Sequence, residues 1–151
     1  MNTLPSYRTI LFATDGSDGA ALAEDHALGL ARQTGARIEG VHVVDHHVAT
    51  QLGALAPGAV EELKRDGQVA LDRLAQRANE ASIDVGTHLA EGRVGPAILS
   101  EAARLGADMI VIGSHGQGTL LDVLIGSVSL YVLHHSAIPV CTVRPSRQTG
   151  T

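Results

Sequence analysis

The chain has 151 residues, 44% of them hydrophobic but only 2% aromatic, with a formal net charge of −5 and a sequence pI near 5.8. That length suits one domain, able to bury roughly two-thirds of its unfolded surface, so no second domain is expected over residues 1–151. A negative balance with Lys64 as the one lysine argues against a general nucleic-acid surface, which needs clustered Lys and Arg.

Strand-like and helix-like segments alternate throughout, the pattern of an α/β domain with parallel strands and right-handed helical crossovers. The first strand is predicted over residues 9–14. A turn at Asp15-Gly16-Ser17 leads into a helix over 19–34, with Ser17 or Asp18 as its cap and Gly35 as its stop signal. The second strand covers 37–44. Residues 45–58 carry Gly, Ala and His without a clear period and are expected to form a loop beside the site. The next helix, 59–81, has Val60, Leu63, Gly67, Leu71, Leu74, Ala78 and Ala81 at three- and four-residue spacing, which makes one buried face. Val85, Thr87 and Leu89 alternate with Gly86, His88 and Ala90, as in a half-exposed edge strand.

Pro96 and Gly106 bracket a short helix, and the apolar run 108–112 is a central fourth strand. A helical turn over 119–125, a last helix over 127–135 and a fifth strand over 139–143 complete the pattern. Lone Cys141 lies in that last apolar run and is expected to be a small core residue. The first eight residues hold no basic segment leading into an apolar stretch, and no run reaches the ~20 apolar residues of a membrane span. The chain is therefore expected in the cytoplasm and off the membrane.

The fourth strand delivers the chain into Gly113-Ser114-His115-Gly116, followed after nine residues by Gly126-Ser127-Val128. Glycines there let the backbone approach a ligand closely. Residues 113–128 hold no lysine or arginine, and Asp122 is their single formal charge, so an anion here would be held by backbone N–H groups. Ser127 is placed to cap the last helix, whose start offers amide donors and the positive end of its dipole. The plainer alternative is a tight loop with packing glycines. No G-x-x-x-x-G-K-[S/T] occurs, and Gly116-Gln117-Gly118 runs on into Thr119, Leu120 and Leu121 after a late strand, so neither a P-loop nor a dinucleotide fingerprint is present.

Other chemistries fit less well. His42, His46 and His47 cluster after the second strand, but a strand followed by a loop sets no ligand geometry, and no second cluster at zinc spacing accompanies them. Solvated loop histidines, and no metal site, are expected. His134 and His135 fall in the last turn of the last helix, where positive charge suits the dipole. A hydrolase built from Ser114, His115 and Asp15 is disfavoured, because adjacent residues in a strand-exit loop rarely face each other and no G-x-S-x-G elbow exists. No catalytic residue is assigned. A receiver domain would need an aspartate ending the third strand and a lysine after the fifth, where Leu89-Ala90-Glu91 and Arg144 stand.

The spacing G-x-x-G-x9-G-[S/T], after a strand and before the last helix, resembles the nucleotide loop of the universal stress protein family. Ile10-Leu11-Phe12-Ala13-Thr14-Asp15-Gly16-Ser17 resembles that family's first strand and turn, and Val41-His42-Val43-Val44-Asp45 its second strand, so the resemblance spans residues 7–144. It implies a five-stranded parallel sheet in the order 3-2-1-4-5 with helices on both faces, Rossmann-like and similar to the adenine nucleotide alpha hydrolases. It also implies ATP in the crevice between strands 1 and 4, where doubly wound sheets take ligands.

Carried over residue by residue, Gly113, Gly116, Gly126, Ser127 and Val128 match positions that line phosphates and ribose. Asp15 matches one that meets the ribose hydroxyls or the adenine amino group, unless it serves only to cap the turn. Val43 matches one whose backbone meets the adenine edge, and Ala13, Thr14 and Ile112 adjoin these positions. Ala13 stands where some relatives have proline. His115 is the candidate for a phosphate donor whose contribution grows below neutral pH, and Mg²⁺ would ride on the phosphates. Dimerisation through residues 139–143 is implied as well. The expectation is a homodimeric, Mg-ATP-binding stress-response protein acting by binding; the alternatives are a nucleotide-free interaction module of the same fold and a slow ATPase.

Overall fold

The structure, a computed structural model, describes residues 3–55, 58–115 and 125–146. Five runs rich in aliphatic residues form strands β1 (Thr9–Ala13), β2 (Arg37–Asp45), β3 (Val85–Gly92), β4 (Met109–Gly113) and β5 (Val140–Val143). All pair in parallel, in the order β3-β2-β1-β4-β5 that the resemblance implied. Helices α1 (Asp18–Thr34) and α3 (Ala59–Glu80) cover one face, and α4 (Val94–Arg104) and α5 (Ser127–His135) the other.

A parallel sheet covered on both faces needs apolar side chains at every position of its central strands, and in β1 Ile10, Leu11 and Phe12 are at most 1% exposed. Alternation then sorts them. Ile10, Phe12, Ile38 and Val111 meet Ala23, Ala27 and Ala31 of α1 and Leu74 and Ala78 of α3. Leu11, Val41, Val43, Ile110 and Ile112 meet Ile98 and Ala102 of α4 and Val132 of α5. Gly40 is glycine because a Cβ there would overlap Leu74 Cδ2.

The start and stop of α1 follow the sequence signals: Ser17 Oγ accepts from the Ala20 amide at 3.2 Å, and Gly35 closes the helix with φ 75°. Four expectations need correction. Residues 46–55 are not loop but a helix, α2 (His46–Leu55), which follows β2 with no linker. A helix of this length is held by tertiary ties more than by propensity, and here Asp45 Oδ1 accepts from the His47 amide at 2.8 Å while Glu91 of β3 holds His46 Nε2 at 3.1 Å. Because the ties are not in its own apolar period, no sequence pattern signals it. α4 begins at Val94, two residues early, since Pro96 sits in a first turn whose amides lack helical partners in any case.

Ala81 leaves the buried face and caps α3 as an exposed residue. His42 lies in β2, as the predicted second strand has it, but is half-buried rather than solvated, and its Nδ1 lies 2.9 Å from the Thr14 carbonyl oxygen, so it donates there. The turn over 119–125 falls, residue 125 apart, outside the described residues. β3 is an edge strand as expected: Thr87, Leu89 and Glu91 are exposed, and His88 is drawn inward to the buried Glu39 at 2.6 Å. Cys141 is half-buried against the α1 face. Among the described residues no helix is long and apolar enough to cross a membrane.

Phe12, fully buried at the centre of β1, carries the largest single block of the core. Phe12→Ala is expected to cost about 3–5 kcal/mol through lost burial and the cavity left behind, read as a lower urea midpoint at unchanged slope.

Candidate functional site

At the carboxyl ends of β1 and β4 the chain departs toward opposite faces of the sheet, to α1 from β1 and toward α5 from β4, and a crevice opens between them. A cleft of about 380 Å³ occupies it, within the ~300–1,000 Å³ of small-molecule sites. Ten of the eleven residues nominated from sequence line this cleft: Ala13, Thr14, Asp15, Val43, Ile112, Gly113, His115, Gly126, Ser127 and Val128. The eleventh, Gly116, lies outside the described residues.

The β1 exit is built by short-range hydrogen bonds. The Thr14 amide donates to the Val41 carbonyl at 2.9 Å as the last rung to β2, and Gly16 turns the chain with φ 78°. Thr14 Oγ1 accepts from the Gly16 amide at 3.1 Å, and Asp15 Oδ1 from the Ser17 amide at 2.9 Å. Asp15 thus caps its own turn while its side chain also lines the cleft. The β1–β2 register ends at Ala13 opposite Val41. Strand period is two, so the amide and carbonyl of Val43 point to the same side as the Val41 carbonyl, past the end of β1.

The β4 exit is tighter than a ligand alone would require. A Cβ on Gly113 would lie 2.9 Å from the Gly19 carbonyl oxygen, and one on Gly19 would lie 2.6 Å from the His115 carbonyl oxygen. Gly113 is therefore demanded by the first turn of α1, the packing reading the sequence had left as its alternative. Ser129 Oγ donates to the Gly113 carbonyl at 2.6 Å, and the Gly126 amide to the Ser114 carbonyl at 2.7 Å, so α5 is bolted to the strand exit.

Ser127 does not cap α5. The cap position is Gly126, in extended backbone at φ −62° and ψ 156°, and no side chain closes the helix start. The first amides of α5 have no helical acceptors, and Ser127, Val128 and Ser129 all line the cleft. Asp15 is the one formally charged side chain among the described lining residues.

Ser114 and His115 overturn a further expectation: though adjacent, they meet, with Ser114 Oγ 2.7 Å from His115 Nδ1. Ser114 is only 1% exposed and, unlike His115, does not line the cleft, so its hydroxyl is turned away from a substrate there and the hydrolase arrangement is still disfavoured. Among the described residues no group of three or more His, Cys, Asp or Glu is placed to hold a metal ion.

Six lining residues escaped the sequence reasoning: Ala20, Val41, Val48, Val94, Ile98 and Ser129. Val41 shares the face of Val43 at spacing two, and Val94 and Ile98 share one helix face at spacing four, so periodicity could have found them. Val48 was hidden because its segment carried no helical period.

Over Val48 the helix α2 is tied by a bridging carboxylate. Glu91 holds Lys64 Nζ at 2.8 Å as well as His46. The Lys64 ammonium, with His46 second, keeps the Glu91 carboxyl below its ordinary range, and Glu91 in turn raises Lys64. A depressed carboxyl contributes stability above its unfolded value and loses it as pH falls through the lowered folded one. Glu91→Gln should therefore speed amide hydrogen exchange over residues 47–51 by a few-fold at neutral pH, since an exposed ion pair is weak. Wild type and variant should converge in acid, where Glu91 is protonated.

The model of the universal stress protein family matches residues 6–144. Universal stress protein MJ0531 of Methanocaldococcus jannaschii is 33% identical over 146 residues, covering 94% of this chain and 85% of that one. Universal stress protein YxiE of Bacillus subtilis is 32% identical over 147 residues, covering 91% of this chain and 99% of that protein. A universal stress protein crystallised in complex with cAMP superposes with a TM-score of 0.67 at 26% identity, over 94% of this chain and 100% of that one.

Proposed function

This chain belongs to the universal stress protein family, and we propose that it binds ATP, with Mg²⁺ on the phosphates, in the cleft between β1 and β4 and acts as a nucleotide-dependent regulatory protein in stress responses. The observation that carries this reading is the pairing, in one cleft, of an apolar pocket with an uncapped helix start that no basic side chain serves among the described lining residues. A nucleotide has that polarity: a flat base that an apolar slot shelters, and an anionic tail that free amides and a helix dipole attract. The relative solved with cAMP supports the ligand class.

In this reading the base lies among Val41, Val43, Val94 and Ile98, its edge against the Val43 backbone. Asp15 takes the ribose hydroxyls or the adenine amino group. The phosphates meet the amides of Ser127 and Val128, beside Gly113, His115, Gly116 and Gly126. Asp15 offers one carboxylate only, so Mg²⁺ would keep most of its waters and depend on the phosphates. With Ser114 buried and no other activated nucleophile or base among the described lining residues, binding rather than turnover is the task the site suits. The protein acts in the cytoplasm as a homodimer, the outer edge of β5 pairing with a second copy and so hiding its unpaired backbone groups.

Thermal unfolding with Mg-ATP tests the site. Ligand at 100 times its Kd should stabilise the fold by about 2.7 kcal/mol and raise Tm by several degrees, on the order of 5 °C. Gly126→Val should abolish the shift while unfolding stays cooperative, because φ −62° and ψ 156° are open to valine and the residue lines the cleft. A full shift in that variant would move the phosphates elsewhere.

A further inference from the structure

Ser114 has every backbone group engaged: its amide donates to the Val143 carbonyl at 2.8 Å, and its carbonyl accepts from the Gly126 amide. Among the described residues its hydroxyl has one partner, His115 Nδ1. At 1% exposure that hydroxyl has no water to fall back on, and a buried O–H left without an acceptor is costly. The Nδ1 lone pair is the acceptor in reach, and a neutral imidazole that accepts at Nδ1 carries its proton on Nε2.

Nε2 is itself buried and, among the described residues, bonds to no protein group, on a residue that lines the cleft. The opposite tautomer would be worse, leaving both the serine proton and the Nε2 lone pair unmet. The His115 carbonyl is pressed against Gly19 so closely that no Cβ fits there, which pins the backbone from which the ring projects.

We infer that Ser114 is a positioning residue that holds the neutral His115 ring in its Nε2–H tautomer, making it a hydrogen-bond donor reserved for a phosphate oxygen of the bound ligand. The identity of that oxygen rests on the nucleotide reading above; the tautomer does not. Ionised phosphate oxygens only accept, so they match a lone N–H, whereas adenine presents donors and acceptors together. The donor needs no acid to form, unlike the imidazolium expected from the sequence, and it adds a side-chain donor to a cradle otherwise made of amides.

The test uses the full chain. Long-range ¹H–¹⁵N NMR of the ligand-free protein, with the His115 signals assigned by their loss in His115→Gln, should show protonated Nε2 and bare Nδ1. Ser114→Ala, checked for cooperative melting, should populate the Nδ1–H form. Calorimetric titration should then show ATP and AMP weakened roughly three- to tenfold by Ser114→Ala and by His115→Phe. Adenosine, which lacks phosphate, should change by less than about twofold, and His115→Gln, which keeps an N–H, should recover part of the loss. A protonated Nδ1 in the wild type overturns the inference, and so does an equal loss for adenosine, which would make the ring a packing element. If the wild type binds none of the three ligands while Nε2 is protonated, the nucleotide reading and the phosphate assignment fall and the tautomer stands.

Discussion

The mouth of the sheet depends on one close approach, that of the first turn of α1 against the exit of β4. Gly19 and Gly113 face each other there with no room for a Cβ on either. Because α1 is anchored to β1 through the Asp15–Ser17 turn, this contact fixes the distance between the two strand ends where the chain diverges. Every lining group inherits its place from it. The His115 carbonyl lies against Gly19, the Gly113 carbonyl accepts from the Ser129 hydroxyl, and the Ser114 carbonyl accepts from the Gly126 amide, so the start of α5 is presented to the cleft by backbone contacts and one serine side chain.

That construction has an electrostatic result. Positive potential in the cleft comes from peptide dipoles and not from ammonium or guanidinium groups, so it is short-ranged and directional. A basic side chain would attract any anion and would need its own counter-charge. An amide start of fixed geometry discriminates by shape, and the apolar residues of β2 and α4 beside it favour a ligand with an apolar end.

The fold was legible where pattern and physics coincide. Buried strands declared themselves as aliphatic runs, Ser17 and Gly35 marked the ends of α1, and the Gly113 to Val128 spacing marked the cleft. What escaped was determined by tertiary contact. Nothing in the period of residues 46–55 signals a helix, because its hold on the fold is the Glu91 carboxylate, 45 residues beyond His46. Ser127 satisfies the composition rule for a cap, yet the chain enters α5 one residue earlier, drawn by the Gly126–Ser114 bond. The Ser114–His115 contact looked improbable between neighbours, and it occurs at a strand exit where the His115 carbonyl packs against Gly19. Gly113 could be weighed as ligand-facing or packing from sequence, but only the position of α1 reveals that packing requires it.

The helix over the cleft mouth is joined to β2 without slack and carries Val48 inward, while the charges that tether it, Lys64, His46 and Glu91, lie at the surface. Mobile ions screen such exposed pairs over about 8–10 Å at physiological strength but have little effect on apolar packing. A rise in ionic strength would thus slacken this cover selectively, while the interior of the sheet keeps its shape. The same molecule thereby has a rigid floor and an osmotically responsive roof.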